Sequence, residues 1–184
     1  LWEFSKICIY NSLVETFDFF DFEFLLLLSA IWLDFDNNAA VAYSLTFKFT
    51  VDLTVFGGTR EPLSLLNEYL GEKNYGKAKR SLVISSFNVF ILGTILSVSL
   101  IILSGPISKV AVLGDEYLHE LIGNSLMICF ASCPFNETTV FLLEAFKSLD
   151  RRTISVVIIF FINYVFGTGF TYYLSVYLGW GAYG

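Results

Sequence analysis

Four carboxylates, Glu15, Asp18, Asp21 and Glu23, stand close together in one apolar stretch, interleaved with Phe17, Phe19, Phe20, Phe22 and Phe24. At about 100° per residue of an α-helix, with Glu15 as zero, Asp18 falls near 300° and Glu23 near 80°. Glu15, Asp18 and Glu23 thus share an arc of about 140° that can face one cavity, while Asp21, near 240°, points further away. Insertion scales put four carboxylates in a membrane helix at a cost on the order of 10 kcal/mol, which marks them as lining a water-filled path. Carboxylates so placed hold a cation or pass protons, and neighbouring rings such as Phe19 and Phe22 add cation–π contacts to an organic cation. The plainer alternative makes residues 4–20 a surface segment, with the membrane beginning at Phe22. Against it, FSKICIYNSLVETF is itself apolar with a helical period, and Leu25 to Leu33 alone is too short to span.

Other chemistry is sparse. Residues 121–143 are apolar apart from Glu137, and 39–58 are apolar apart from Lys48 and Asp52, which are four apart and can pair on one helix face. Cys8, Cys129 and Cys133 lie in apolar stretches and read as small buried hydrophobes; Cys129 and Cys133 lack further ligands at zinc spacing, so no metal is expected. His119, alone in an acidic loop, reads as solvated. The Asn136–Thr138 sequon falls inside an apolar helix, out of reach of glycosylation. With no Ser-His-Asp set, Walker loop or dinucleotide fingerprint, no enzymatic activity and no cofactor are expected.

The elements that must position these residues follow from where charge is missing. The chain has 184 residues, 55% hydrophobic and only 15% charged, with a net charge of −6, which excludes a disordered chain and argues against a nucleic-acid partner. A hydrocarbon core about 30 Å thick needs about 20 helical residues. Residues 81–108 and 153–184 carry no charge at all, and both are far longer than a buried strand. With the three less pure stretches, the sequence predicts an all-α polytopic membrane protein with five spans, about 4–33, 39–58, 81–104, 121–145 and 153–178. Gly57 and Gly58 read as the end of the second span, and Gly105 and Pro106 as the end of the third. Pro134 falls inside the fourth, where it frees a carbonyl that the bundle must satisfy.

The connections alternate in charge. Arg60, Lys73, Lys77, Lys79 and Arg80 follow the second span, and Lys147, Arg151 and Arg152 the fourth; the other two loops are acidic, with Asp34, Asp36, Asp115, Glu116 and Glu120. Retention of Lys and Arg on the cytoplasmic side puts the first residues inside, near Lys6, and the end of the fifth span outside.

Three stretches then resemble the multidrug and toxic compound extrusion (MATE) transporters. GGTREPLSLLNEYLGEKNYGKAKRSL, residues 57–82, is similar to the family's cytoplasmic signature, with Gly57, Leu70, Gly71, Ala78 and Arg80 fitting the pattern. DFFDFE, residues 18–23, preceded by Trp2, Glu3, Phe4 and Lys6, resembles the start of the second lobe in eukaryotic members. SCPFNETTVFLLEAFKSLDRRTISVVIIFFINYVFGTGFTYYL resembles the tenth and eleventh helices, with Tyr164 and Gly167 at family positions. The resemblance implies helices seven to eleven of a twelve-helix, two-lobe antiporter, all of 1–184 belonging to the C-terminal lobe and the N-terminal lobe lying elsewhere in the polypeptide.

It further implies that Asp18 and Glu23 serve cation binding and proton coupling, that Glu137 stands at or next to the acidic position of the tenth helix, and that Tyr164 lines the cavity. Thr46 or a neighbour stands where the family commonly has a Glu, with Lys48 and Asp52 nearby. The expected function is export of organic cations or drugs in exchange for protons, at the plasma membrane or at a vacuolar or other endomembrane. The expected partners are the lipid bilayer and a cationic substrate. The alternatives are a non-transporting membrane subunit or degenerate paralogue, and a Na⁺-coupled or lipid-linked-sugar-flipping relative in the same superfamily.

Overall fold

The computed structural model describes residues 2–112, 114–149 and 152–184; the side chains of residues 3, 4, 6, 7, 10, 11, 14, 15, 17–19, 21, 53–57, 152, 153, 155 and 156 lie outside the description. Every described element is helical. Four long helices, α1 (Trp2–Trp32), α2 (Phe35–Gly71), α3 (Tyr75–Ala111) and α4 (Glu116–Ser148), are followed by α5 (Arg152–Ile159). From there the chain continues through a π-helical stretch, Phe160–Gly167, then α6 (Thr168–Tyr172), a second π-helical stretch, Tyr173–Tyr177, and a 3₁₀ turn, Gly181–Tyr183.

Among the described residues, three helical stretches are long and apolar enough to cross a membrane: Tyr75–Ala111, Glu116–Ser148 and Val157–Tyr177. In α1 the described apolar run is shorter, Phe22–Trp32. The faces of α3 are inverted relative to a water-soluble helix. Its exposed positions include Phe87, Leu92, Ile95 and Ile102, while Gly93, Ser97, Ser104 and Ser108 are buried. Large side chains outward and small ones inward is the pattern of helices packed in lipid, where close backbone approach replaces the hydrophobic drive to associate.

The chain forms two compact units, residues 1–43 with 151–184, and residues 44–150. Within the first, α1 packs on α5 and its continuation. Phe24 meets Tyr164 with ring centroids 5.6 Å apart, and Trp32 meets Tyr172 edge-on at 5.0 Å. The α1–α2 turn is tied by the Ser29 hydroxyl, 2.8 Å from Asn38 Oδ1, and by Asn37, whose amide oxygen accepts the Ala182 N–H at 2.7 Å.

In the second unit α3 lies along α4. The carbonyl that Pro134 frees on α4 is that of Phe130, four residues earlier, and it accepts the Ser97 hydroxyl of α3 at 2.6 Å in a buried site. The neighbouring helix therefore supplies the donor that the proline ring cannot. Ser97→Ala is expected to cost about 1–2 kcal/mol, since a buried carbonyl then has no partner. Pro134→Ala in the same chain should recover most of that loss by restoring an N–H, and thermal unfolding of the four-member mutant cycle checks it.

Neither pair of residues expected to end a span ends a helix. Helix α2 runs unbroken past Gly57 and Gly58 to Gly71, and α3 runs past Gly105 and Pro106 to Ala111. At 37 residues each, these helices are about 55 Å long, well beyond the about 30 Å of a hydrocarbon core. The basic connection 59–82 is accordingly a helical hairpin, closed by a short turn at Glu72–Asn74 in which Lys73 adopts φ 57° and Asn74 caps α3. Buried Leu66 and Ala78 pack with Ala145 of α4, flanked by Leu63, Leu70 and Leu82, and this contact outweighs the modest helix cost of the glycines.

Candidate functional site

A charged pair on α2 and a buried acid on α4 come together within the second unit. Ser44, Lys48 and Asp52 recur every four residues and form one stripe of α2, and Cys129, Cys133 and Glu137 do the same on α4. The Lys48 ammonium bonds Asp52 Oδ2 at 2.5 Å, the i, i+4 pairing that the spacing predicts. Both side chains are shielded, 18% and 27% exposed. Glu137, 3% exposed, lies within electrostatic reach of both members of this pair.

The aromatic frame is set by Phe47 and Phe130, which meet edge-on at 5.6 Å one position away from Lys48 on α2 and two turns before Glu137 on α4. Phe130 and Cys133 are fully buried, so one side of the cluster is walled by apolar atoms. Polar capacity inside it is left over. Asp52 Oδ1 and Glu137 Oε1 are both buried and accept no hydrogen bond from a described donor, and the Ser44 hydroxyl is buried in the same condition. Such orphaned oxygens are rare in folded proteins, and each normally has a proton, a water or an ion to account for it.

Compared with protein-family models, curated proteins and solved structures, the chain matches none.

The other expected site residues lie in the first unit. The backbones of Glu15, Asp18 and Phe19 belong to α1, but their side chains fall outside the described residues, so the carboxylate arc is not seen. Glu23 is exposed, and Phe22 is half-buried. Tyr164 is half-buried in the π-helical stretch, against Phe24 of α1 and stacked on Phe160 at 5.8 Å. An aromatic contact one residue after Glu23 therefore joins the acidic helix to Tyr164. The extra residue per turn in a π-helix is a feature that recurs at functional positions.

Two readings are corrected. Cys8 is exposed, whereas Cys129 is half-buried and Cys133 buried; all three are free thiols. Nothing covers that face of α1 among the described residues. His119 is half-buried rather than fully solvated, its Nε2 lying 3.4 Å from the Gly105 carbonyl. The Lys48–Asp52–Glu137 association is the part that the sequence alone does not give. Its signal was a lone Glu in one apolar stretch and a Lys/Asp pair in another, because ionisable groups in such places are kept only with partners.

Proposed function

We propose that this chain is the C-terminal lobe of a MATE-type secondary antiporter that exports organic cations in exchange for protons, with helices seven to eleven formed by five spans. The observation that carries the reading is the buried cluster of one ammonium and two carboxyls, Lys48, Asp52 and Glu137, with two carboxyl oxygens lacking donors. Its charge arithmetic suits exchange. With both acids ionised the cluster carries one net negative charge, and one proton or one monovalent cation makes it neutral. Apolar surroundings penalise the unbalanced state, so arrival of a cation and departure of a proton are equivalent in charge.

In this reading Asp18 and Glu23, with Glu15 beside them, bind the substrate cation among Phe19, Phe22 and Tyr164, and Glu137 takes part in coupling. Alternating access comes from rocking of this lobe against its N-terminal counterpart. The three long apolar helices and the inverted faces of α3 support the membrane placement. Acidic groups flanked by rings favour a cationic cargo over the pyrophosphate of a lipid-linked sugar.

The test is efflux of a cationic dye from cells expressing the whole gene product, driven by an imposed pH gradient in Na⁺-free medium. Asp18→Asn with Glu23→Gln, and separately Glu137→Gln, should reduce efflux to the level of cells without the protein while leaving membrane insertion intact. Efflux at the normal rate in these variants, or none in the unmodified protein, would overturn the reading in favour of a non-transporting subunit.

A further inference from the structure

A cleft of about 700 Å³ opens between the end of α2 and the start of α3, within the helical hairpin of the second unit and separate from the Lys48–Asp52–Glu137 cluster. One wall is a single face of α3, where Lys77, Arg80, Ser81, Ile84, Ser85 and Asn88 follow each other at helical spacing. The other is a face of α2 formed by Glu61, Pro62, Leu65 and Tyr69. Its chemistry is graded along the helix axis. The two cations stand in the first turns of α3, next come the hydroxyls of Ser81 and Ser85 and the amide of Asn88, and Leu65, Pro62 and Ile84 make the apolar sides.

The cations are available. Lys77 sits over the Tyr69 ring, 5.6 Å from its centroid, and Arg80 is exposed and forms no ion pair among the described residues. Glu61 is the one acid among the residues that line the cleft, against the two positive charges of Lys77 and Arg80. The N-terminal end of α3, with no acidic residue in its first turn, adds the positive end of the helix dipole. Because α2 and α3 outrun the hydrocarbon thickness, such a graded cleft on a basic hairpin falls where headgroups meet acyl chains.

We propose that this cleft binds the headgroup of an anionic phospholipid of the surrounding bilayer, with Lys77 and Arg80 holding the phosphate, Ser81, Ser85 and Asn88 donating to its oxygens, and the apolar sides receiving the upper acyl chain. The proposal stands on the hairpin alone and does not depend on transport. A diffuse basic surface would also attract such lipids, but that attraction is screened within about 3 Å at 1 M salt, whereas a contact held in a cleft persists.

The experiment is native mass spectrometry of the full chain in mild detergent, titrated with phosphatidylserine or phosphatidylcholine at high salt before transfer to a volatile buffer. The unmodified protein should retain phosphatidylserine selectively. Lys77→Gln with Arg80→Gln should weaken that retention by about tenfold or more, because two charge-assisted contacts to the phosphate are lost. Lys73→Gln with Lys79→Gln removes two cations of the same hairpin that do not line the cleft, and should leave retention within about twofold because their surface attraction is screened. Ser81→Ala with Ser85→Ala keeps both charges, removes only the two hydroxyl donors and should also lower retention, which guards against misfolding of the charge variant. Equal loss in the two lysine-containing pairs would overturn the proposal, as would equal retention of phosphatidylcholine. Competition by inorganic phosphate as strong as by phosphatidylserine would overturn it in favour of a soluble-anion site.

Discussion

Lys48→Met should destabilise the second unit by about 2–3 kcal/mol, and Lys48→Met combined with Asp52→Asn should recover most of that loss. The single change leaves the Asp52 carboxylate without the ammonium that bonds its Oδ2, while its Oδ1 already lacks a donor. Glu137 then stands near it with no other cation acting on it among the described residues. Removing one partner of a fully buried ion pair costs about 3–5 kcal/mol; partial exposure of both side chains here lowers the expected figure. Met preserves the packing of the Lys stem, so the loss reports charge and not volume.

The double variant removes the stranded charge as well, and replacing a whole ion pair is commonly close to neutral. Adding Glu137→Gln to Lys48→Met should also restore stability in part, because the two acids compete for the same ammonium. Thermal unfolding in one detergent across this cycle gives the coupling energies. Wild-type stability for Lys48→Met would place the pair on a solvated face and remove the physical basis of the cluster.

How much of this was legible in the sequence depends on the range of the interaction. The Lys48–Asp52 pair is local, and helical spacing alone gives it. That Pro134 must have a partner for the carbonyl it frees is also local, but that Ser97 supplies it depends on how α3 lies along α4, across 33 residues of separation. The same limit hid the meeting of Glu137 with Asp52. That Gly57 and Gly58 do not end their helix has a different reason. Each weakens α2 by only about 1 kcal/mol, and the packing of Leu66, Ala78 and Ala145 at the base of the hairpin is a tertiary gain that no local pattern displays. Cys8 misled because an apolar neighbourhood in sequence does not fix which face of a helix is covered.

Gly93→Leu should be the most damaging single substitution in α3, at about 3–5 kcal/mol, while Gly93→Ala should fall within about 1 kcal/mol of wild type. A Cβ at Gly93 meets Pro134 Cα at 3.1 Å and Pro134 N at 3.7 Å, so what it strikes is backbone. Alanine needs a shift of a few tenths of an ångström, and its better helix propensity, worth about 1 kcal/mol, offsets that strain. Leucine cannot be fitted by a rotamer change, because the obstruction begins at its first carbon; the helices must separate, and overpacking of that kind costs about 1–3 kcal/mol or more. Separation also stretches the bond from Ser97 to the Phe130 carbonyl one turn further along α3, which adds the cost of an unsatisfied buried acceptor, about 1–3 kcal/mol. The edge-on contact of Phe90 with Phe135, 5.6 Å between centroids, opens with it. Gly105 in the same helix provides the control, since a Cβ there meets nothing within 4 Å and Gly105→Leu should cost little. Similar melting temperatures for Gly93→Leu and Gly105→Leu would mean that α3 and α4 are not in backbone contact at Pro134. A loss confined to Gly93→Leu would identify that contact as the point where the proline break in α4 is held closed.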